Sequence, residues 1–164
     1  MTEQEKFEAI VDRFDTAMLV TRDGRGELRA RPLTIAQRDS DGSLWFFTSI
    51  ESGKAFEIDR ESSVAVVLQG KRRFVSISGR AELVREQARL EELWRESFRP
   101  WFPNGPLDSS AVAVRVTPVA GEYWDLSGSA GLAYMGAAIA SVFSGEKMSD
   151  APEASYHGRV QGSR

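Results

Sequence analysis

The sequence predicts a mainly β protein, a six-stranded antiparallel β-barrel with peripheral helices. Three observations carry this. Short apolar runs recur between Gly/Asp-rich turns at hairpin distance, and helical periodicity appears only in short inserted pieces. No regular β-α-β alternation of the kind a doubly wound sheet requires is present. The length of 164 residues suits one domain with a single core.

Phe7, Ile10, Val11 and Phe14 recur at helical spacing behind Glu3, Glu5 and Glu8, where a helix dipole favours acids, so the chain opens with a helix. Thr16–Arg22 is an apolar strand that ends at the turn Asp23-Gly24-Arg25-Gly26, and a second strand, Glu27–Arg38, returns beside it. Asp39–Gly42 turns into a third strand, Ser43–Thr48. The period then changes, and Ser52 is placed to cap a short helix ending near Arg60 that carries Ala55, Phe56, Glu57 and Ile58. Strands at Ser63–Gln69 and Arg73–Val84 follow, then a charged helix over Arg85–Phe98. Pro100, Pro103, Gly105 and Pro106 form a turn-rich loop. The last long strand, Ala111–Trp124, turns Val112, Val114 and Val116 inward. Residues 1–127 form the barrel domain; residues 128–164 are a Gly/Ala-rich tail with one helix over Leu132–Phe143 and a mobile end from Ser144.

Composition removes several functions. A net charge of −3 argues against a nucleic-acid binder, and no segment reads as a leader or a membrane span, so the expectation is a cytoplasmic protein. With no Cys, disulfides, thiolate metal sites and cysteine nucleophiles are excluded; with one His, the usual zinc and non-haem iron sites are not expected. His157, in a polar stretch, reads as a solvated tail residue rather than part of a triad. No dinucleotide fingerprint, P-loop or nucleophile elbow occurs; Ser127-Gly-Ser-Ala-Gly131 has Ser where the first Gly of an elbow belongs. No metal site and no catalytic side chain is singled out, so redox chemistry here needs an organic cofactor.

Two patches remain. Arg29 and Arg31 lie two apart on the second strand and therefore share a face. Alone, the pair reads as a solvent-facing strand edge. The third strand leads into a second patch, where Thr48, Ser49, Ser52 and Lys54 surround a strand-to-helix turn, or alternatively form an ordinary Ser cap beside a solvated Lys. Side by side, the two patches make one anion site: hydroxyls, free N–H groups and cations are what a phosphate needs.

The segments Arg29-Ala-Arg-Pro-Leu33, Trp45-Phe-Phe-Thr-Ser and Ser52-Gly-Lys54 are similar to those of a known family. Val75-Ser-Ile-Ser-Gly79, Trp101–Asp108 and Glu122-Tyr-Trp-Asp125 add to the likeness. From Phe7 to Asp125 the chain resembles the FMN-binding split-barrel family that includes pyridoxamine 5′-phosphate oxidase, in its shorter general stress protein 26 branch. The resemblance implies a homodimer with FMN at the subunit interface, acting as a flavin reductase or oxidoreductase with NAD(P)H as a candidate donor. The alternative is a non-enzymatic module that stores, senses or delivers FMN, and F420 or haem are the alternative cofactors. Carried onto this chain, Arg31 and Lys54 hold the phosphate with Ser52 and Arg29, and Thr48 and Ser49 sit between phosphate and ring. Pro32, Leu33 and Thr34 run along the isoalloxazine, and Trp101 or Trp124 of a second copy packs on it; core or interface packing is the other reading of both Trp residues. Gly53 stands where the oxidases carry a second basic residue, and their basic C-terminal end has no counterpart here. Both departures argue against pyridoxamine phosphate oxidation.

Overall fold

The computed structural model describes residues 1–145 and 156–162. Helix α1 (Glu3–Val11) starts with a capping box: the Thr2 hydroxyl accepts from the Glu5 N–H, and the Glu5 carboxylate accepts from the Thr2 N–H. The strands are β1 (Thr16–Arg22), β2 (Leu28–Arg38), β3 (Leu44–Ser49), β4 (Ser63–Gln69), β5 (Arg73–Val84), β6 (Ala111–Asp125) and β7 (His157–Gln161). Helices α2 (Gly53–Arg60), α3 (Gln87–Leu93) and α4 (Ser129–Ser144) are inserted between them.

All strand pairs are antiparallel, in the order β3-β2-β1-β4-β5-β6-β7. An additional β3–β6 ladder, Leu44↔Val116 through Ser49↔Ala111, closes the first six strands into a barrel. Inward residues alternate along each strand, as the pleat requires: Ala17 and Leu19, Val64, Val66 and Leu68, Val75 and Ile77, Val114 and Val116. Phe7, Ile10 and Val11 of α1 pack into the same core. The β3 residues Leu44–Thr48 are all buried, because both faces are covered. Leu44 and Phe46 point into the barrel, whereas Trp45 and Phe47 join a second cluster outside it with Leu90, Leu93 and Phe102.

One close approach shapes the sheet. The β5–β6 register shifts between Ser78 and Gly79, and a Cβ at Gly79 would lie 2.8 Å from both the Thr117 carbonyl oxygen and the Val116 side chain. Only Gly lets the strands come together there.

Two expectations change. The helix expected over Arg85–Phe98 ends at Leu93: Trp94 is extended, and a single 3₁₀ turn follows at Glu96–Phe98. The break lets Trp94 and Phe98 both pack against Phe47, with ring centroids 5.6 and 5.3 Å away. The expected mobile end contains a strand: β7 pairs with β6 from Trp124↔His157 to Ala120↔Gln161. His157 is therefore no solvated tail residue; its ring stacks on Trp124 at 4.9 Å and 1°, with Nε2 3.5 Å from a Glu122 carboxylate oxygen. Residues 146–155 and 163–164 of the expected mobile end lie outside the described residues. No helix among the described residues is long and apolar enough to cross a membrane.

Candidate functional site

The β2–β3 ladder ends at Ile35↔Phe46, whereas β2 continues back to Leu28 and β3 forward to Ser49. Over residues 28–34, β2 is therefore paired, among the described residues, with β1 alone. The barrel is split here. One lip carries Arg31 and Leu33; the other carries Thr48, Ser49 and the turn into α2.

Arg31 sits opposite Leu19 in the β1–β2 ladder, so its side chain points inward at the barrel mouth and is 23% exposed. There it meets Thr21 of β1 and Glu57 of α2. Arg31 Nη2 donates to Glu57 Oε2 at 2.7 Å, Arg31 Nη1 donates to Thr21 Oγ1, and Thr21 Oγ1 donates to the same Glu57 oxygen. Thr21 is buried, and this triangle satisfies its hydroxyl. Burial works to raise the Glu57 carboxyl. The Thr21 and Arg31 hydrogen bonds and the Arg31 charge outweigh it and hold the group below the usual carboxylate range.

Ser52 builds the other lip. Its hydroxyl accepts from the Ala55 N–H at 3.4 Å and donates to the Ser49 carbonyl at 2.6 Å, which fixes the start of α2 against the end of β3. Ser49 Oγ accepts from the Glu51 N–H at 3.2 Å. This turn aims Lys54 back over β3, where Nζ donates to Thr48 Oγ1 at 3.0 Å. Lys54 is partly buried, and among the described residues no carboxylate forms an ion pair with it. Loss of solvation lowers its pKa first, and the neighbouring Arg31 charge lowers it further against the pull of Glu57. A desolvated ammonium beside a guanidinium, with one carboxylate between them, is a niche an anion would neutralise.

The other expected residues are placed differently. Arg29 lies on the Arg31 face but is turned to Asp23 at 3.1 Å and Glu27 at 3.6 Å, half-exposed, and takes no part in the Arg31–Glu57 triangle. Pro32 and Thr34 are exposed on the outer face of β2, Pro32 opposite the exposed Met18, while Leu33 packs against the core. Trp101 is 73% exposed in the loop after Phe98, and Trp124 is engaged with His157. Within this chain, neither contributes to the niche. Thr21 and Glu57 escape the sequence reading. The signal was present for both: Thr21 continues the inward alternation of Ala17 and Leu19, and Glu57 lies one helical turn from Lys54. A separate cavity of about 620 Å³, floored by Phe7, Val11, Leu44 and Ile77 beneath the 39–42 turn, shares no residue with the niche. No group of metal-ligating side chains occurs among the described residues.

A six-stranded antiparallel barrel, closed by β3–β6 and parted between β2 and β3, defines a split-barrel protein. The chain belongs to the pyridoxamine 5′-phosphate oxidase-like family, whose sequence signature matches residues 2–149. Solved structures agree on the fold. The general stress FMN/FAD-binding protein of Xanthomonas citri is 28% identical, with 77% of this chain and 90% of that one covered and a TM-score of 0.65. General stress protein 26 of Jannaschia is 20% identical, with 96% and 97% covered and a TM-score of 0.69. The pyridoxamine 5′-phosphate oxidase-related, FMN-binding protein of Nostoc punctiforme is 17% identical, with 77% and 82% covered and a TM-score of 0.54. No curated protein matches the chain.

Proposed function

We propose that this protein binds FMN at the split between β2 and β3 and acts as a flavin-dependent oxidoreductase in a homodimer. One observation carries the reading: Lys54 is partly buried beside Arg31 and, among the described residues, has no carboxylate ion-pair partner. The terminal phosphate of FMN supplies the missing negative charge, held by Arg31 and Lys54 with the Ser52 turn behind it. Thr48 and Ser49 come next to the phosphate. Along residues 30–34, β2 has no strand on its second side among the described residues, so main-chain groups there face the polar edge of the ring. Exposed Met18, Ala30 and Pro32 give the outer face an apolar surface for a second subunit to cover. The FMN- and FMN/FAD-binding relatives support the choice of a flavin. Bound FMN would supply hydride or electron transfer, while the chain holds and orients it.

The test is a fluorescence titration with FMN, riboflavin serving as the phosphate-free control. Saturable FMN binding with much weaker riboflavin binding is expected. Arg31→Ala and Lys54→Ala should each weaken FMN by about 1.5–3 kcal/mol, the scale of hydrogen bonds to charged groups, without touching riboflavin. Equal affinity for the two ligands, or unchanged FMN affinity in both variants, refutes the site. Reduction of bound FMN by NAD(P)H then separates an oxidoreductase from a module that only holds the flavin.

A further inference from the structure

Helix α4 is apolar on every side, and it is exposed. Its 16 residues include no charged side chain. Gly131, Tyr134, Met135, Ala138 and Ser141 turn toward their own chain, and Tyr134 meets Tyr156 at 5.0 Å between ring centroids. Leu132, Ile139, Val142 and Phe143 turn away, at 50, 59, 82 and 87% exposed. A helix that is hydrophobic all round belongs in an interior, and an exposed apolar stripe marks a contact surface.

Gly136 is a second, independent anomaly. It stands in the middle of α4, exposed, and a Cβ added there would meet nothing within 4 Å. Nothing among the described residues requires Gly there, although Gly in a helix interior costs about 1 kcal/mol relative to Ala. Close approach of another backbone is a reason for Gly that the described residues of this chain do not supply.

We propose that α4 crosses the α4 of a second copy of this chain at Gly136, about a twofold axis. The residues flanking Gly136 are complementary under that symmetry. With the helices antiparallel, Leu132 lies against the partner's Ala140 and Ile139 against the partner's Ala133, and symmetry repeats each large-on-small pair. A face with no charge desolvates none when it pairs with itself. A lipid surface fits poorly, because helices that lie on membranes carry Lys and Arg on their polar face. A 16-residue helix is about 24 Å long, so one face buries on the order of 300–400 Å², about half of the ~800 Å² per partner in a standard interface. The crossing is therefore one part of a wider contact, and it rests on the homodimer proposed above.

The absence of cysteine makes a clean test possible. Gly136→Cys in the full chain introduces a single thiol; a twofold crossing brings the two Cα atoms within the roughly 7 Å that a disulfide tolerates. Under mild oxidation Gly136→Cys should form a covalent dimer at least about tenfold faster than Glu8→Cys, an exposed control on α1. Adding Ile139→Lys, at a position too exposed to disturb folding, should abolish the difference. Comparable rates, or cross-linking that survives Ile139→Lys, overturn the proposal. So does flotation of the wild-type protein with phosphatidylglycerol vesicles that is lost in Ile139→Lys, which assigns the face to lipid. A protein that sediments as a dimer and binds FMN without cross-linking at 136 removes this contact and leaves the flavin reading intact. A monomer removes both the contact and the dimer.

Discussion

Glu57→Gln should make FMN bind more tightly. In the structure Glu57 holds Arg31 at 2.7 Å, with the two side chains 12 and 23% exposed, so the carboxylate occupies a cation that the phosphate is proposed to use. A phosphate on the open side of the guanidinium would lie about 6–8 Å from the carboxylate. At an effective dielectric constant of about 30–40, a charge pair at that distance is worth about 1–2 kcal/mol of repulsion. Gln keeps an acceptor for Thr21 and Arg31 but removes the charge. The expected result is FMN affinity higher by about fivefold to thirtyfold, with a steeper dependence on ionic strength and unchanged riboflavin affinity. Fold stability should fall by about 1–2 kcal/mol, as the ion pair with Arg31 becomes a hydrogen bond to an uncharged amide. Fluorescence titration at two salt concentrations and urea unfolding read both quantities. FMN affinity that is unchanged or lower, or riboflavin tightening to the same degree, would show that Glu57 and the phosphate do not compete for Arg31.

The same carboxylate gives a pH prediction. Its folded pKa lies below the unfolded value of about 4.3, so its contribution is present above that pH and is lost as pH falls through the folded pKa. The stability gap between wild type and Glu57→Gln should thus be constant above about pH 5 and shrink progressively as pH falls below the unfolded value; a gap that does not change, or that widens, on acidification contradicts the assignment. Gly79→Ala should destabilise by about 1–3 kcal/mol in urea unfolding, because its methyl would enter the space of the Thr117 carbonyl; a neutral effect would mean that the bulge can open freely. His157→Ala removes the stack on Trp124 and should speed amide exchange across residues 157–161 by about threefold to tenfold, the scale of an aromatic contact. Unchanged exchange would place the anchoring of β7 elsewhere.

The six barrel strands were legible because each couples a period-two apolar pattern to a turn with its own chemistry. At the β1–β2 tip, Asp23 accepts from the Arg25 and Glu27 N–H groups at 2.8 and 3.0 Å while Gly26 takes φ 83°. What was not legible depends on contacts distant in sequence. Apolar spacing continues past Leu93 to Phe98, so the sequence alone extends α3; Phe47, about fifty residues upstream, makes the break favourable. β7 is five residues long with one hydrophobic member, Val160, and only its neighbour β6 makes it a strand. At the site, Arg31, Ser52 and Lys54 stood out by residue type. Arg29 stood out equally, yet the turn carboxylates Asp23 and Glu27 claim it. Thr21 and Glu57 looked ordinary on their own elements, and their role exists only where β1, β2 and α2 converge.

The β3–β6 ladder ends at Leu44↔Val116, yet β6 runs on to Asp125, which would leave a row of bare amides and carbonyls along one side of its second half. Over Ala120–Trp124 that side is occupied by β7. A strand rim of this kind templates pairing with other chains, and closing the barrel alone does not remove it. By covering that rim, β7 removes a template for aggregation, and its loss should be felt in colloidal behaviour before it is felt at the Arg31–Lys54 niche.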